Sequence, residues 1–308
     1  MSNNSNQTSA NGTMPPLEQI LRGRRILLTG GTGFLGKVFL YLLLRHHPEL
    51  ERIYLLIRGD QRSSNSRLRR EILDSPVMGP LREHLGEGFD RYVEEKLAVI
   101  PGDITNRLAG GEAGLLKKGT LDAVVHCAGL VNFEASLEKA LEINTLGVAN
   151  VIDYCRENGA ALLHVSTCYV AGEADGHRFE NDIPADWRPN GRRGFKLTRE
   201  ISDAQNAIAR VEAESRDQAH QAEFRNTAAD DGEGDGRESY LEARRKSWLE
   251  ERLKQVGRER ALGWGWPNTY SYTKSLGEQL VFAARDTLNA VVVRPSVIES
   301  ALADPFPG

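Results

Sequence analysis

Gly30, Gly33 and Gly36 recur at three-residue spacing straight after the apolar run Arg25–Thr29 and at the opening of the helical pattern Phe34–Arg45. A strand, a glycine loop and a helix in that order confine the chain to few folds. The first glycine permits a tight turn, the second lets backbone approach a pyrophosphate, and the third lets the helix pack on the sheet. The anion then rests on free N–H groups at the positive end of the helix. Gly31–Lys37 also spells G-x-x-x-x-G-K, the opening of a phosphate-binding P-loop. Val38 stands where that loop needs a hydroxyl for magnesium, and the fourth strand ends in His126 rather than an acid. The dinucleotide reading holds and the NTPase reading fails.

The remaining chain fits such a domain. Strands are predicted at Arg25–Thr29, Ile53–Ile57, Leu97–Ile100, Ala123–His126, Leu162–Ser166 and Ala290–Arg294, with helices at Phe34–Arg45, Arg67–Leu73, Leu137–Glu157 and Ser271–Arg285. Apolar β-branched runs separated by helices are strands covered on both faces, hence a parallel sheet with crossover helices. The fold class is α/β, a doubly wound (Rossmann) parallel sheet. A polar lead over 1–16 precedes one NAD(P)-binding domain over 17–308, which a charged helical hairpin interrupts over 173–263. In the hairpin, Ile201–Phe224 and a second amphipathic helix carrying Leu241, Trp248, Leu253 and Val256 flank the turn DDGEGDG.

The net charge of −4 lies wholly between Glu200 and Arg260, where 15 acids face 11 bases, so the rest of the chain is neutral. Such a segment reads as a solvated face, and nothing in the balance suits a protein that coats nucleic acid. Three cysteines (Cys127, Cys155, Cys168) do not make a disulfide framework. His126 and His164 sit on strands with no second ligand at metal spacing and read as core histidines, so no metal site is expected. No apolar run is long enough for a bilayer, and the chain reads as cytoplasmic with peripheral membrane contact left open.

Cofactor choice is written after the second strand. An acid there would bind the ribose 2′-OH of NAD; here Arg58 follows instead, which favours the 2′-phosphate of NADPH. Asp103 and Ile104 after the third strand suit the adenine, and Ala128-Gly129 after the fourth suits close passage beneath the cofactor. Tyr270 and Lys274 share one helix face at i, i+4. An ammonium there lowers the phenol pKa, so the tyrosine can pass a proton to a substrate oxygen. Thr167, at the end of the fifth strand, can polarise a carbonyl. Asn144 could anchor a relay water or bond locally within its helix. Trp264 and Trp266 could rim an acyl channel or pack on the insertion, and Tyr272 is expected to pack.

The strings TGGTGFLGKVFL, LLIRG, PGDIT, VVHCAGLVNFE, INTLGVANV, HVSTCYVAG, PNTYSYTKSLGEQL, VVVRPSVIES and DPFPG run from about residue 25 to 308 outside the insertion. With them the chain resembles an extended short-chain dehydrogenase/reductase, and more narrowly the fatty acyl-CoA reductase (male-sterility) family. The resemblance implies that Thr167, Tyr270 and Lys274 are catalytic, and that Gly30, Thr32, Gly33, Phe34, Leu35, Gly36, Arg58, Asp103, Ile104, Arg294, Pro295, Ser296 and Val297 line the cofactor. It implies NADPH-dependent reduction of a long-chain acyl-CoA to the aldehyde and on to the alcohol. Carrier-protein thioesters, or aldehydes and ketones, are alternative substrates; a non-catalytic NADP-binding interaction module is the reading from another class. The insertion is longer and more charged than the family's usual connection. Such reductases continue past the stretch after Arg294, so either a C-terminal substrate portion and further domains follow Gly308 in a longer protein, or the acyl pocket is unusual.

Overall fold

The computed structural model describes residues 14–106, 116, 118–180, 183–230 and 237–307. The polar lead as far as residue 13, and 231–236 of the acidic turn, lie outside them. In chain order the elements are α1 (Leu17–Leu21), β1 (Arg25–Thr29), α2 (Phe34–His46), β2 (Arg52–Ile57), α3 (Gln61–Arg67), α4 (Gly79–Leu85), α5 (Phe89–Lys96), β3 (Leu97–Pro101) and β4 (Ala123–His126). Then come α6 (Leu137–Leu141), α7 (Gly147–Asn158), β5 (Ala161–Val165), α8 (Leu197–Glu214), α9 (Gln218–Asp230), α10 (Arg237–Trp264), α11 (Thr269–Ala284) and β6 (Ala290–Val293).

All six strands pair in parallel in the order β3-β2-β1-β4-β5-β6, the doubly wound sheet that the unbroken apolar runs predict. Successive residues of a strand point to opposite faces. Ile26 and Leu28 of β1 therefore join Leu40, Leu44, Leu81 and Phe89 in one core, while Leu27 joins Val124, Val151, Leu162 and Val281 in the other. The order reverses between β1 and β4, so a crevice opens beyond their carboxyl ends. There the Thr29 hydroxyl bonds His126 Nδ1 at 2.7 Å and accepts from the Ala128 amide at 3.2 Å, tying the two strand ends together.

Two predicted elements differ. The helix expected over Leu137–Glu157 is interrupted by a π-turn at Glu142–Leu146. α11 crosses it so closely that a Cβ on Gly277 would collide with the Asn144 carbonyl. The insertion holds three helices rather than two, because Asp217 accepts from the His220 amide at 2.8 Å and starts α9 anew inside the run read as one helix.

The insertion is also fastened to the main domain more firmly than a solvated hairpin. Leu197, Ala204 and Ala261 join Leu137, Trp266, Tyr272 and Leu276 in a third core. Glu200 of α8 is buried with them. Its carboxylate accepts from the Tyr272 hydroxyl of α11 at 2.5 Å and from Arg260 of α10 at 2.7 and 3.1 Å. Removing one member of a buried charged network leaves the others uncompensated, at a cost of about 3–5 kcal/mol. Glu200→Ala is therefore expected to lower unfolding free energy by about that much in urea titration, whereas Arg199→Ala, at an exposed pair on the same helix, changes it by less than about 1 kcal/mol. Equal effects would contradict the arrangement.

Candidate active site

The glycine loop shows why its residue types are required. Gly30 has φ +73°, and a Cβ there would lie 2.6 Å from the Ala128 amide nitrogen. A Cβ on Gly36 would collide with the Gly30 carbonyl. α2 starts behind Gly33 without a side-chain cap, so its first amides face the crevice.

Two contiguous cavities open there, sharing Gly30, Gly33, Cys127 and Gly129. The narrower, of about 280 Å³, is lined by Thr32, Arg58, Asp103, Ile104 and Ala128. The wider, of about 590 Å³, is lined by Phe34, Leu35, Gly36, Thr167, Tyr270, Lys274, Pro295, Ser296 and Val297. An open depression of about 670 Å³ between α8 and α10, lined by Asp203, Asn206 and Arg210, lies apart from these groups.

Asn268 caps α11, accepting from the Ser271 amide at 2.8 Å, which places Tyr270 in its first turn and Lys274 one turn later. Both side chains are buried at the cavity wall. Lys274 Nζ donates to the Val165 carbonyl at 2.9 Å, joining the helix to the end of β5. Burial drives its pKa down to about 8, against the opposing charge of Glu278. The expectation that this ammonium lowers the Tyr270 pKa is not met. Burial raises the phenol, and the interaction that pulls it down is the hydrogen bond with Thr167, because Lys274 is turned to Val165. Thr167 Oγ1 itself accepts from the Tyr169 amide at 3.3 Å.

Asn144 neither lines the cavity nor bonds within its own helix. Its Oδ1 accepts from the Leu130 amide at 2.8 Å, and its Nδ2 donates to the Leu130 carbonyl at 3.1 Å and to Thr273 Oγ1 at 3.3 Å. It thus pins the loop after β4 to α11. Arg294 is the other exception among the cofactor candidates. Its guanidinium grips the buried Glu278 carboxylate at 2.7–3.2 Å and turns away from the cavity. Trp266 is fully buried, donating from Nε1 to the Val170 carbonyl at 2.8 Å, so it packs rather than rims a channel.

Several groups beyond those expected from the sequence complete the site. Phe133 stands edge-on to Tyr270 at 5.4 Å and to Tyr169 at 6.0 Å, forming an aromatic lip. Its apolar loop, with Val131 exposed beside it, was the available signal. Arg67 lines the narrow cavity, donating to the Arg58 carbonyl at 3.1 Å while bound to Glu71. His126 and His164 stack at 5.2 Å in full burial, which lowers the His126 pKa to about 3 and keeps both rings neutral. Among the described residues no group of three or more His, Cys, Asp and Glu is arranged to hold a metal.

Residues 28–308 match the family described as "Male sterility protein". The chain belongs to that family. The matched part is an NAD(P)-binding domain, in keeping with the glycine cradle. An alcohol-forming fatty acyl-CoA reductase of Simmondsia chinensis is 32% identical over 96% of this chain and 55% of its own length. Probable fatty acyl-CoA reductase 5 of Arabidopsis thaliana is 34% identical over 94% of this chain and 54% of its own. The chain thus spans about half the length of these male sterility relatives. In fold it is similar to the terminal R domain of the myxalamid PKS-NRPS pathway (TM-score 0.50, 19% identity, 91% of this chain and 50% of that one). The reductase domain of a Mycobacterium tuberculosis nonribosomal peptide synthetase is similar to the same degree (TM-score 0.50, 20% identity, 89% and 48%).

Because Lys274 titrates near 8 when folded and at its ordinary 10.5 when exposed, the unfolded chain holds more protons between those values. The penalty for burying the charged lysine is complete below about pH 8 and fades as pH rises to 10.5. Urea unfolding should therefore show the wild type gaining stability relative to Lys274→Met across that window; parallel pH curves would refute the buried cation.

Proposed function

We propose that this chain is the nucleotide-binding and catalytic part of an NADPH-dependent reductase of long-chain fatty acyl-CoA. The observation that carries the reading is the convergence of Thr167, Tyr270 and Lys274 on one mostly apolar cavity that runs into a glycine-lined anion cradle. The names of the family's reductase relatives support the substrate class.

The fit to a dinucleotide rests on the chain's own features. Side chains at Gly30 and Gly36 would fill the cradle, and the uncapped amides of α2 face an anion. At the end of β2 the 2′-phosphate of NADPH would meet Arg58, which is exposed, whereas the nearby Arg67 is already bound to Glu71. When bound, the cofactor supplies the hydride.

The chain's residues manage the oxygen and its proton. Thr167 accepts from Tyr169, so its own hydrogen, directed at Tyr270, can turn to the thioester carbonyl. Tyr270, kept protonated by burial, donates beside it and delivers its proton to the oxygen as the carbonyl carbon becomes tetrahedral. The hydrogen bond with Thr167 favours the phenolate that results, while Lys274, one turn further along α11, ties the helix to the end of β5. The hemithioacetal collapses to aldehyde and free thiol, and a second reduction of the aldehyde gives the alcohol. The apolar lip of Val131, Phe133 and Ile298 suits an alkyl chain entering the same cavity.

NADPH oxidation with palmitoyl-CoA tests the reading, and Tyr270→Phe should lower kcat by about 100-fold or more with cofactor binding unchanged. Full turnover by that variant would leave only a binding module. Cofactor choice is checked by fluorescence titration. A hydrogen bond to a charged partner contributes about 1.5–3 kcal/mol, so Arg58→Ala should weaken NADPH at least about tenfold and leave NADH unaffected. Equal weakening of both would remove the assignment of Arg58 to the 2′-phosphate. Palmitoyl-CoA set against a carrier-bound palmitoyl thioester decides between the two thioester classes.

A further inference from the structure

Glu278 is the charged group of α11 that the reaction just described does not use. It is fully buried, one helical turn beyond Lys274 on the same face. Arg294, just past β6, holds it from Nε at 3.0 and 3.2 Å and from Nη2 at 2.7 Å. The remaining Arg294 nitrogen donates to the Glu180 carbonyl at 2.9 Å, and the guanidinium lies 5.7 Å over the Phe282 ring.

A pair buried this deeply stabilises little in itself. Desolvating two charges offsets most of their attraction, and apolar side chains of the same volume often serve a core as well or better. Its position suggests another use. The groups facing Lys274 from the sheet are His126 and Cys127 of β4 and its edge, and His164 of β5. Burial keeps both imidazoles neutral and raises the Cys127 thiol to about 11, so none of the three carries charge near neutral pH. Tyr270, the titratable neighbour on the helix itself, is a neutral phenol there too. Among these facing groups, that leaves the Glu278 carboxylate as the opposite charge.

We propose that Glu278, clamped in place by Arg294, is a positioning residue whose carboxylate keeps the buried Lys274 in its ammonium form. The consequence for activity rests on the reductase reading given above; the electrostatic claim does not. Arg294 offsets part of the Glu278 charge, so the effect on Lys274 is modest. The sign follows directly. Removing the carboxylate takes away an interaction that favours the ammonium, so Lys274 loses its proton at lower pH and the basic limb of kcat moves down with it.

The test is a titration of the full chain carrying ¹³C-labelled lysine, with the Lys274 signal identified by its loss in Lys274→Arg. The wild type should titrate near 8. Glu278→Gln should move that midpoint down by at least about half a pH unit, and Glu278→Asp should restore most of it. Should the single variant fail to fold with Arg294 orphaned, the pair variant Glu278→Leu/Arg294→Met removes both charges and should show the same downward shift. A Lys274 midpoint unmoved in whichever variant folds would overturn the proposal. A shifted midpoint without any turnover on acyl thioesters would sustain it and reject the reductase reading instead. A lowered kcat at every pH with no change in the pH profile would mark the pair as structural only.

Discussion

Lys274 is a cation held almost out of water, and much of the surrounding structure follows from that. An unpaired ammonium is costly to bury, so its donors need fixed partners and nearby compensation. The Val165 carbonyl at the end of β5 supplies a direct acceptor at 2.9 Å. Everything that fixes α11 against the sheet then fixes the reactive phenol as well, because Tyr270 lies one turn earlier on the same helix. The close crossing at Gly277, the Asn144 bonds to Leu130 and Thr273, and the Thr145 hydroxyl donating to the Thr273 carbonyl at 2.9 Å all act on this helix.

The insertion belongs to the same scheme. Its charged outer face suggests a solvated appendage, yet its inner face closes the side of α11 that the sheet leaves open. Glu200 and Arg260 reach Tyr272, while Trp266 reaches Val170 in the turn that follows Thr167. Trp266, just past the insertion, thus links the turn after Thr167 to the helix that carries Tyr270, since it also packs on Tyr272 at 5.6 Å. The acidic balance of the whole chain comes from this segment and says little about the neutral nucleotide-binding sheet.

The sheet was legible because a strand covered on both faces has to be apolar along its whole length, and the six strands fall within a residue of their predicted limits. The glycine loop was legible because backbone crowding at Gly30 and Gly36 leaves no room for side chains. Most of the candidate lining residues do meet in the two cavities. What could not be read depends on contacts between distant segments. The π-turn at Glu142–Leu146 answers to α11, more than a hundred residues later in sequence. On α8 the visible apolar stripe of Ile201 and Ile208 is turned by a residue, so that Glu200 faces inward to partners on α10 and α11. Arg294 sits directly before four cavity-lining residues, but its side chain leaves the cavity for a carboxylate that no spacing rule pairs with it. Phe133 enters the site from a loop without periodic pattern.

In the proposed reaction these groups direct a hydride to the carbonyl carbon of an acyl thioester. The most direct measurement uses NADPH carrying deuterium at the transferable C4 position, with palmitoyl-CoA, and mass analysis of the aldehyde and alcohol. One deuterium is expected at C1 of the aldehyde and a second in any alcohol, with free CoA released in step. Cofactor that binds to the chain while the products form without label, or do not form at all, would contradict that reaction.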